Sequence, residues 1–219
     1  MSILRRLFVL LGTLAIAQSG PLRAAGKSAE QLFAEVSQST VTVLSLDTAG
    51  AIKKLGSGVV IAPGEVITNC HVVDAGRFQV RHAGVQLDAA IRYADRERDL
   101  CQLHVEDLQA PGVTRSPSGR VGVGAQVFAV GAPEGLELSI SDGLVSGVRD
   151  IKGLSGVIQT TAPISPGSSG GGLYDRSGAL IGITTFYLTT GQNLNFALPA
   201  AWIDELPKRA SLQSDSAND

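Results

Sequence analysis

The sequence predicts an all-β chain of two antiparallel barrels, with a short helix near each end. Three observations carry this. Valine, isoleucine and threonine recur in short runs between glycines, of which the 219 residues hold 26, the pattern of strands joined by tight turns. Hydrophobic residues make up 44% of the chain and charged residues 17%, as in a globular protein long enough to bury one sizeable core or two smaller ones. The strand-like runs fall into two groups, separated by a polar, proline-containing stretch over residues 108–118.

The first 25 residues stand apart. Arg5 and Arg6 precede an apolar run over residues 7–17, and small residues follow, with Ala24 and Ala25 as one cleavage region and residues 15–17 as another. This is the layout of a secretory signal peptide. The alternative, an uncleaved membrane anchor, is disfavoured because a bilayer span needs about 20 apolar residues. Cleavage would remove Arg5, Arg6 and Arg23 and no acid, taking the formal net charge from −2 to −5. A basic nucleic-acid surface is not expected.

Residues 27–39 read as a helix capped by Ser28, with Leu32, Phe33 and Val36 on one face. From Thr40 the period changes to two. Strands are expected over residues 41–46 and 59–61 and, after a turn at Pro63-Gly64, from residue 65 through to 73. Further strands are expected over 78–81, 86–93 and 100–105, completing a first barrel at about 40–107. The second barrel, about 120–199, would take strands near 126–130, 136–148, 157–161, 173–174, 179–187 and 195–198. Residues 199–207 read as a terminal helix through Trp202, Ile203 and Leu206, and residues 208–219 as a frayed polar tail.

Within this frame the stretch Pro166-Gly167-Ser168-Ser169-Gly170-Gly171-Gly172 stands out. Glycines let a serine hydroxyl stand clear of the backbone and let N–H groups converge on a developing oxyanion. A flexible turn is the bland alternative. The spacing Gly167-x-Ser169-x-Gly171 fits a nucleophile elbow, but such enzymes place the histidine after the serine. Here His71, His82 and His104 all precede Ser169. The order histidine, aspartate, serine belongs to chymotrypsin-like barrels, with the site in the cleft between them.

His71 is the candidate base. Asp99, followed directly by apolar Leu100, is the aspartate expected to turn inward, whereas Asp74 is too close to His71 along the chain, and Asp88 and Asp95 lie near turns where solvated charges are common. The histidines lack metal-ligand spacing such as His-Glu-x-x-His; no metal or other cofactor is expected.

At these positions the chain resembles the HtrA (DegP-like) serine proteases. The resemblance rests on residues 56–61 (GSGVVI), 66–73 (VITNCHVV), 99–103 (DLCQL), 159–171 (QTTAPISPGSSGG) and 195–199 (NFALP), and covers roughly residues 32–205. It implies two six-stranded chymotrypsin-like barrels within a protease domain spanning 26–219. It also implies an exported, periplasmic or secreted serine endopeptidase acting on protein or peptide substrates, and no stable membrane insertion once the signal is cleaved. By the same resemblance Ser169 is the nucleophile, His71 the base and Asp99 its orienting acid. Gly167 and Ser169, with Ser168 beside them, would supply the oxyanion hole. Ile164, Phe186 and Tyr187 would line the pocket for the P1 side chain; none is acidic, so a small or medium apolar P1 residue is expected.

The chain departs from that family in three respects. It stops soon after the last motif, so PDZ domains are not expected. Ser168 stands where zymogen-type trypsin relatives have aspartate, which argues against activation by a new α-amino group. Cys70 precedes His71, and Cys101 lies two residues after Asp99, so the cysteines meet if His71 and Asp99 do. They form either a disulfide bracing the triad or a pair of small buried thiols. A protease-fold protein that stays latent, or binds without cleaving, until a partner orders its loops is the alternative function.

Overall fold

The structure, a computed structural model, describes residues 26–74, 76–116, 122–135, 137–151, 153–189 and 191–216. The predicted signal peptide lies outside them. The chain forms two closed, six-stranded antiparallel barrels. The first is built from β1 (Thr40–Leu46), β2 (Ile52–Ala62), β3 (Glu65–Thr68), β4 (Arg77–His82), β5 (Val85–Asp95) and β6 (Leu100–His104). The second is built from β7 (Gln126–Gly131), β8 (Ser139–Ile151), β9 (Leu154–Thr160), β10 (Gly172–Asp175), β11 (Leu180–Tyr187) and β12 (Asn195–Pro199). Both close in one pattern: the first runs β1-β2-β3-β6-β5-β4, the second β7-β8-β9-β12-β11-β10. Closure leaves neither sheet an edge to cover.

Each barrel buries alternating side chains inward. Val41, Val43, Val66, Val80 and Leu103 fill the first, and Val127, Ile158, Leu173 and Ile181 the second. A third cluster joins the barrels through Val59, Ile67, Leu100, Phe128, Val130, Tyr174 and Ile183, and takes in both terminal helices. No helix among the described residues is long and apolar enough to cross a membrane.

Helix α1 (Ala29–Val36) opens with a capping box, in which the Ser28 hydroxyl accepts from the Gln31 N–H and the Gln31 side chain accepts from the Ser28 N–H. Leu32 and Val36 are buried. A single 3-10 turn, Ser37–Ser39, leads into β1.

Two expectations need correction. The strand predicted over residues 65–73 ends at Thr68, and Cys70–Val72 form a 3-10 turn. The Asn69 backbone is still extended, but the apolar residues beyond it pack beneath a turn rather than in a sheet. At the other end, helix α2 (Trp202–Ser216) continues past Pro207 into residues expected to fray. Pro207 falls early in the helix, and residues 209 and 213 are held against the first barrel by hydrogen bonds to Asp95.

Candidate active site

The turn after β3 and the turn before β6 face each other, because β3 and β6 pair with Thr68 opposite Cys101. Two donors converge on the backbone carbonyl of Asp99: the Cys70 N–H at 3.2 Å and the Asn69 side-chain amide at 3.0 Å. The Asp99 carboxylate then meets His71 twice. The His71 backbone N–H donates to Oδ1 at 2.8 Å, and the imidazole Nδ1 lies 2.7 Å from Oδ2. Asp99 adopts φ +56°, a left-handed conformation that costs a non-glycine residue about 1–3 kcal/mol and persists only where its surroundings hold it. Those bonds, with the turn at residues 95–98, are the holding structure.

Cys70 and Cys101 form a disulfide, with Cα atoms 4.9 Å apart. Cys70 reaches Cys101 from the 3-10 turn rather than from a strand, so the bridge ties the histidine turn directly to β6.

The serine loop, residues 165–171, belongs to the second barrel but is gripped by the first. Ser57 on β2 supplies the grip: its N–H donates to the Ser169 carbonyl at 2.7 Å and its hydroxyl to the Gly167 carbonyl at 2.7 Å. The same hydroxyl accepts the Ala132 N–H at 2.8 Å. Gly170, at φ +88°, sits so close that a Cβ there would fall on the Ser57 carbonyl and the Thr68 hydroxyl. Glycine is required at 170 both for its backbone angle and for this approach.

Ser169 is half-buried, and its hydroxyl donates to the Thr185 carbonyl at 2.7 Å. No hydrogen bond joins it to His71. Thr185 lies at a register shift in the pairing of β11 with β12, between Thr184 and Phe186, which exposes its backbone to the cleft. Its own hydroxyl donates to Asp99 Oδ2 at 3.1 Å. Thr185 therefore touches the serine with its carbonyl and the aspartate with its side chain. Within the described residues the Gly167 and Ser169 N–H groups make no hydrogen bond, whereas the Ser168 N–H is committed to the Ser165 carbonyl at 2.9 Å.

These groups border a cleft of about 410 Å³ whose lining includes His71, Ile164, Gly167, Ser169, Phe186 and Tyr187. Phe186 stacks on Phe196, with ring centroids 4.8 Å apart, and Tyr187 is exposed. Lys54 reaches the rim, donating to the His71 carbonyl at 2.9 Å and to Asp74 at 2.5 Å. Among the described residues, no acidic side chain lines the cleft. A far larger hollow, about 790 Å³, opens elsewhere around Arg81, His82 and Glu137, and none of the candidate site residues lines it.

The residues named from sequence, His71, Asp99, Ser169, Gly167, Ser168, Ile164, Phe186, Tyr187, Cys70 and Cys101, thus lie in or around one cleft. Sequence reading missed Ser57, Asn69 and Thr185. The glycines flanking Ser57 were a signal of close approach; nothing local marked Thr185. Asp95 was placed among solvated turn charges, yet it is buried at 1% exposure. Burial alone would raise its pKa, but hydrogen bonds from the Arg209 guanidinium, the Arg98 backbone and Gln213 outweigh that and hold it below the usual carboxylate value.

Residues 56–183 match the trypsin-like peptidase domain family. The chain is 38% identical over 156 residues to a probable periplasmic serine endoprotease DegP-like of Ectopseudomonas mendocina, covering 67% of this chain and 33% of that protein. It is 34% identical over 158 residues to the periplasmic pH-dependent serine endoprotease DegQ of Escherichia coli, covering 67% and 35%. The chain therefore spans about a third of the length of these curated relatives. Among solved structures, the serine endoprotease from Yersinia pestis aligns with a TM-score of 0.76 at 28% identity, covering 85% of this chain and 67% of that one. The active form of the Rv3671c protease from Mycobacterium tuberculosis shares the fold, with a TM-score of 0.75 at 23% identity over 92% and 94%. With the family match covering more than half of its length, the chain belongs to the trypsin-like peptidase domain family, and its curated relatives include DegP-like serine endoproteases.

Proposed function

We propose that this protein is an exported serine endopeptidase that cleaves protein or peptide substrates through Ser169, His71 and Asp99. The observation that carries the reading is the pair of hydrogen bonds between Asp99 and His71, made beside the cleft that holds Ser169 and the unengaged N–H groups of Gly167 and Ser169. With its Nδ1 proton held by Asp99, His71 keeps a lone pair on Nε2, the tautomer a general base needs.

The chemistry follows from that tautomer. His71 Nε2 removes the hydroxyl proton as Ser169 Oγ bonds to the scissile carbonyl carbon. The carbonyl oxygen takes the negative charge and is met by the Gly167 and Ser169 N–H groups; one such donor is worth about 2.7–4 kcal/mol. Collapse breaks the C–N bond, and the imidazolium returns its proton to the leaving amine. Water, deprotonated by the same nitrogen, then releases the acyl group. The Asp99 carboxylate holds the imidazole in place throughout, and the Thr185 hydroxyl helps to orient it. The cleft offers Ile164 and the two aromatics to the P1 side chain and no carboxylate, so small or medium apolar P1 residues are favoured over lysine and arginine.

Export rests on the signal-like residues 1–25 and on relatives named as periplasmic; the protease domain would be residues 26–219. The test is digestion of an unfolded protein by the purified mature chain. Cleavage that is lost in Ser169→Ala is expected, and cleavage that persists in that variant would refute the assignment.

One observation favours a second reading, in which the enzyme rests in a latent state. The Ser169 hydroxyl is bonded to Thr185, not to His71, so the hydroxyl must rotate before reaction. Under this reading hydrolysis by the protein alone is slow and rises several-fold when a non-cleaved peptide is added; a rate unchanged by that peptide would refute it.

A further inference from the structure

The turn that delivers Asp99 is bonded to the C-terminal helix at every preceding residue. Asp95, the last residue of β5, is buried and accepts from the Arg209 Nε. It also accepts from the Gln213 amide at 2.9 Å and from the Arg98 N–H, within its own turn, at 3.2 Å. The Arg96 N–H donates to the Gln213 side-chain oxygen at 3.3 Å. Arg209 Nη2 donates to Glu97 at 2.8 Å. The Arg98 guanidinium donates to Glu205 at 2.6 Å and lies 4.5 Å over the Trp202 ring. Trp202, Glu205, Arg209 and Gln213 are spaced three, four and four residues apart, which places them on one face of α2. The next residue in the turn is Asp99, held at φ +56°.

We infer that α2 is a positioning element for the catalytic aspartate, with Arg209 as its principal positioning residue. This rests on the protease reading above. Arg209 touches neither substrate nor His71. It fixes Asp95, which caps the turn through the Arg98 N–H, and the turn sets where the Asp99 carboxylate meets the imidazole. A left-handed aspartate relaxes toward ordinary backbone angles when its surroundings loosen. The displacement carries straight to the 2.7 Å contact between His71 Nδ1 and Asp99 Oδ2. Helix and barrel would pack through Trp202 and Leu206 without this network. A charged anchor of two helix donors, Arg209 and Gln213, on a buried carboxylate adds a fixed register to that packing.

The test compares the unaltered protein with Arg209→Ala and Arg209→Lys. Fluorophosphonate labelling of the unaltered protein, with and without added peptide, comes first; its failure under both conditions defeats the protease reading itself. In the Ser169→Ala background, proton NMR then follows the imidazole Nδ1 proton shared with Asp99, a signal independent of turnover. Arg209→Ala is expected to broaden or abolish that resonance. On a peptide substrate it should lower kcat about 10- to 100-fold, in line with the penalty for small misplacements, with KM within about twofold. Arg209→Lys, which retains one charged contact to Asp95, should recover a large part of both. A normal resonance and normal kcat in folded Arg209→Ala, even with a lowered melting temperature, would overturn the inference and leave α2 as packing alone. If Arg209→Ala does not fold, Gln213→Ala replaces it. The same changes on a smaller scale are expected there, and an unchanged resonance and kcat would again overturn the inference.

Discussion

In the first barrel, His71 and Asp99 are joined by two hydrogen bonds, backed by donors from Asn69 and Cys70 and bridged by a disulfide two residues further on. In the second barrel, Ser169 sits in a glycine loop with no covalent brace, and its hydroxyl rests on Thr185 rather than on the histidine. The proposed acid–base pair is thus built inside one barrel from partners about 30 residues apart. Ser169, the proposed nucleophile, is brought to that pair by contacts that cross between barrels, chiefly Ser57 to the serine loop and Thr185 to Asp99. The difference teaches that the two halves should fail in different ways. Loss of the disulfide should appear as lost stability, and damage to the crossing contacts, or to the α2 anchor of the Asp99 turn, as lost turnover.

The largest effect should come from the nucleophile itself. Ser169→Ala is expected to lower kcat by about six orders of magnitude, and His71→Ala by a similar factor, with the double variant no worse than either. A fluorogenic peptide assay checks both, and additive losses would break the picture of one cooperative unit. Next is the disulfide. Replacing Cys70 and Cys101 together by alanine removes a cross-link of sequence separation 31 and should cost about 3.5 kcal/mol by chain entropy. Denaturant unfolding reads this loss, and below the melting range kcat should stay within about threefold of the unaltered enzyme. A large drop in kcat at intact stability would erase the contrast between the barrels.

The crossing contacts come third. Ser57→Ala leaves the Gly167 carbonyl and the Ala132 N–H short of a partner, at about 1–3 kcal/mol, and should cost more in turnover than in melting temperature. Thr185→Val keeps the carbonyl and removes the hydroxyl from Asp99; about a tenfold fall in kcat is expected, the equivalent of one modest hydrogen bond. The smallest effect is pH-dependent. Asp95 is held below its usual pKa by Arg209, the Arg98 backbone and Gln213 acting against burial, and Glu65 by Gln102, His104 and Arg92, again against burial. A depressed folded pKa gives stability that is complete above the unfolded value, near 4, and drains away as pH falls through the folded one. Unfolding midpoints should therefore decline below about pH 4, and Asp95→Asn should flatten part of that decline.

Much of this arrangement was legible in the sequence because it is local. Period-two runs bounded by glycine mark the strands, and the glycines of residues 167–172 announce a backbone that no other residue tolerates. The choice of Asp99 over its neighbours also followed from local pattern, though the reason given for dismissing Asp95 was wrong: it lies at the end of a strand, buried under helix α2. What escaped notice depends on contacts distant in sequence. Asp95 meets Arg209 across 114 residues, Thr185 meets Asp99 across 86, and Ser57 meets Gly167 across 110. The length of α2 was missed for the same reason, since its polar residues are ordered by partners on the other barrel. The apolar run through Val72 and Val73 reads as a continuation of the strand to residue 73, while the chain turns at Cys70–Val72 and sets His71 against Asp99.

The most direct measurement is intact-mass analysis of the purified mature protein after exposure to a fluorophosphonate, with peptide mapping of the adduct. One phosphonyl group on Ser169, absent from Ser169→Ala and strongly slowed in Asp99→Asn, is the result expected of a working nucleophile whose base is oriented by Asp99. An adduct on another residue, or labelling of Ser169 at an unchanged rate when Asp99 is replaced, would contradict it.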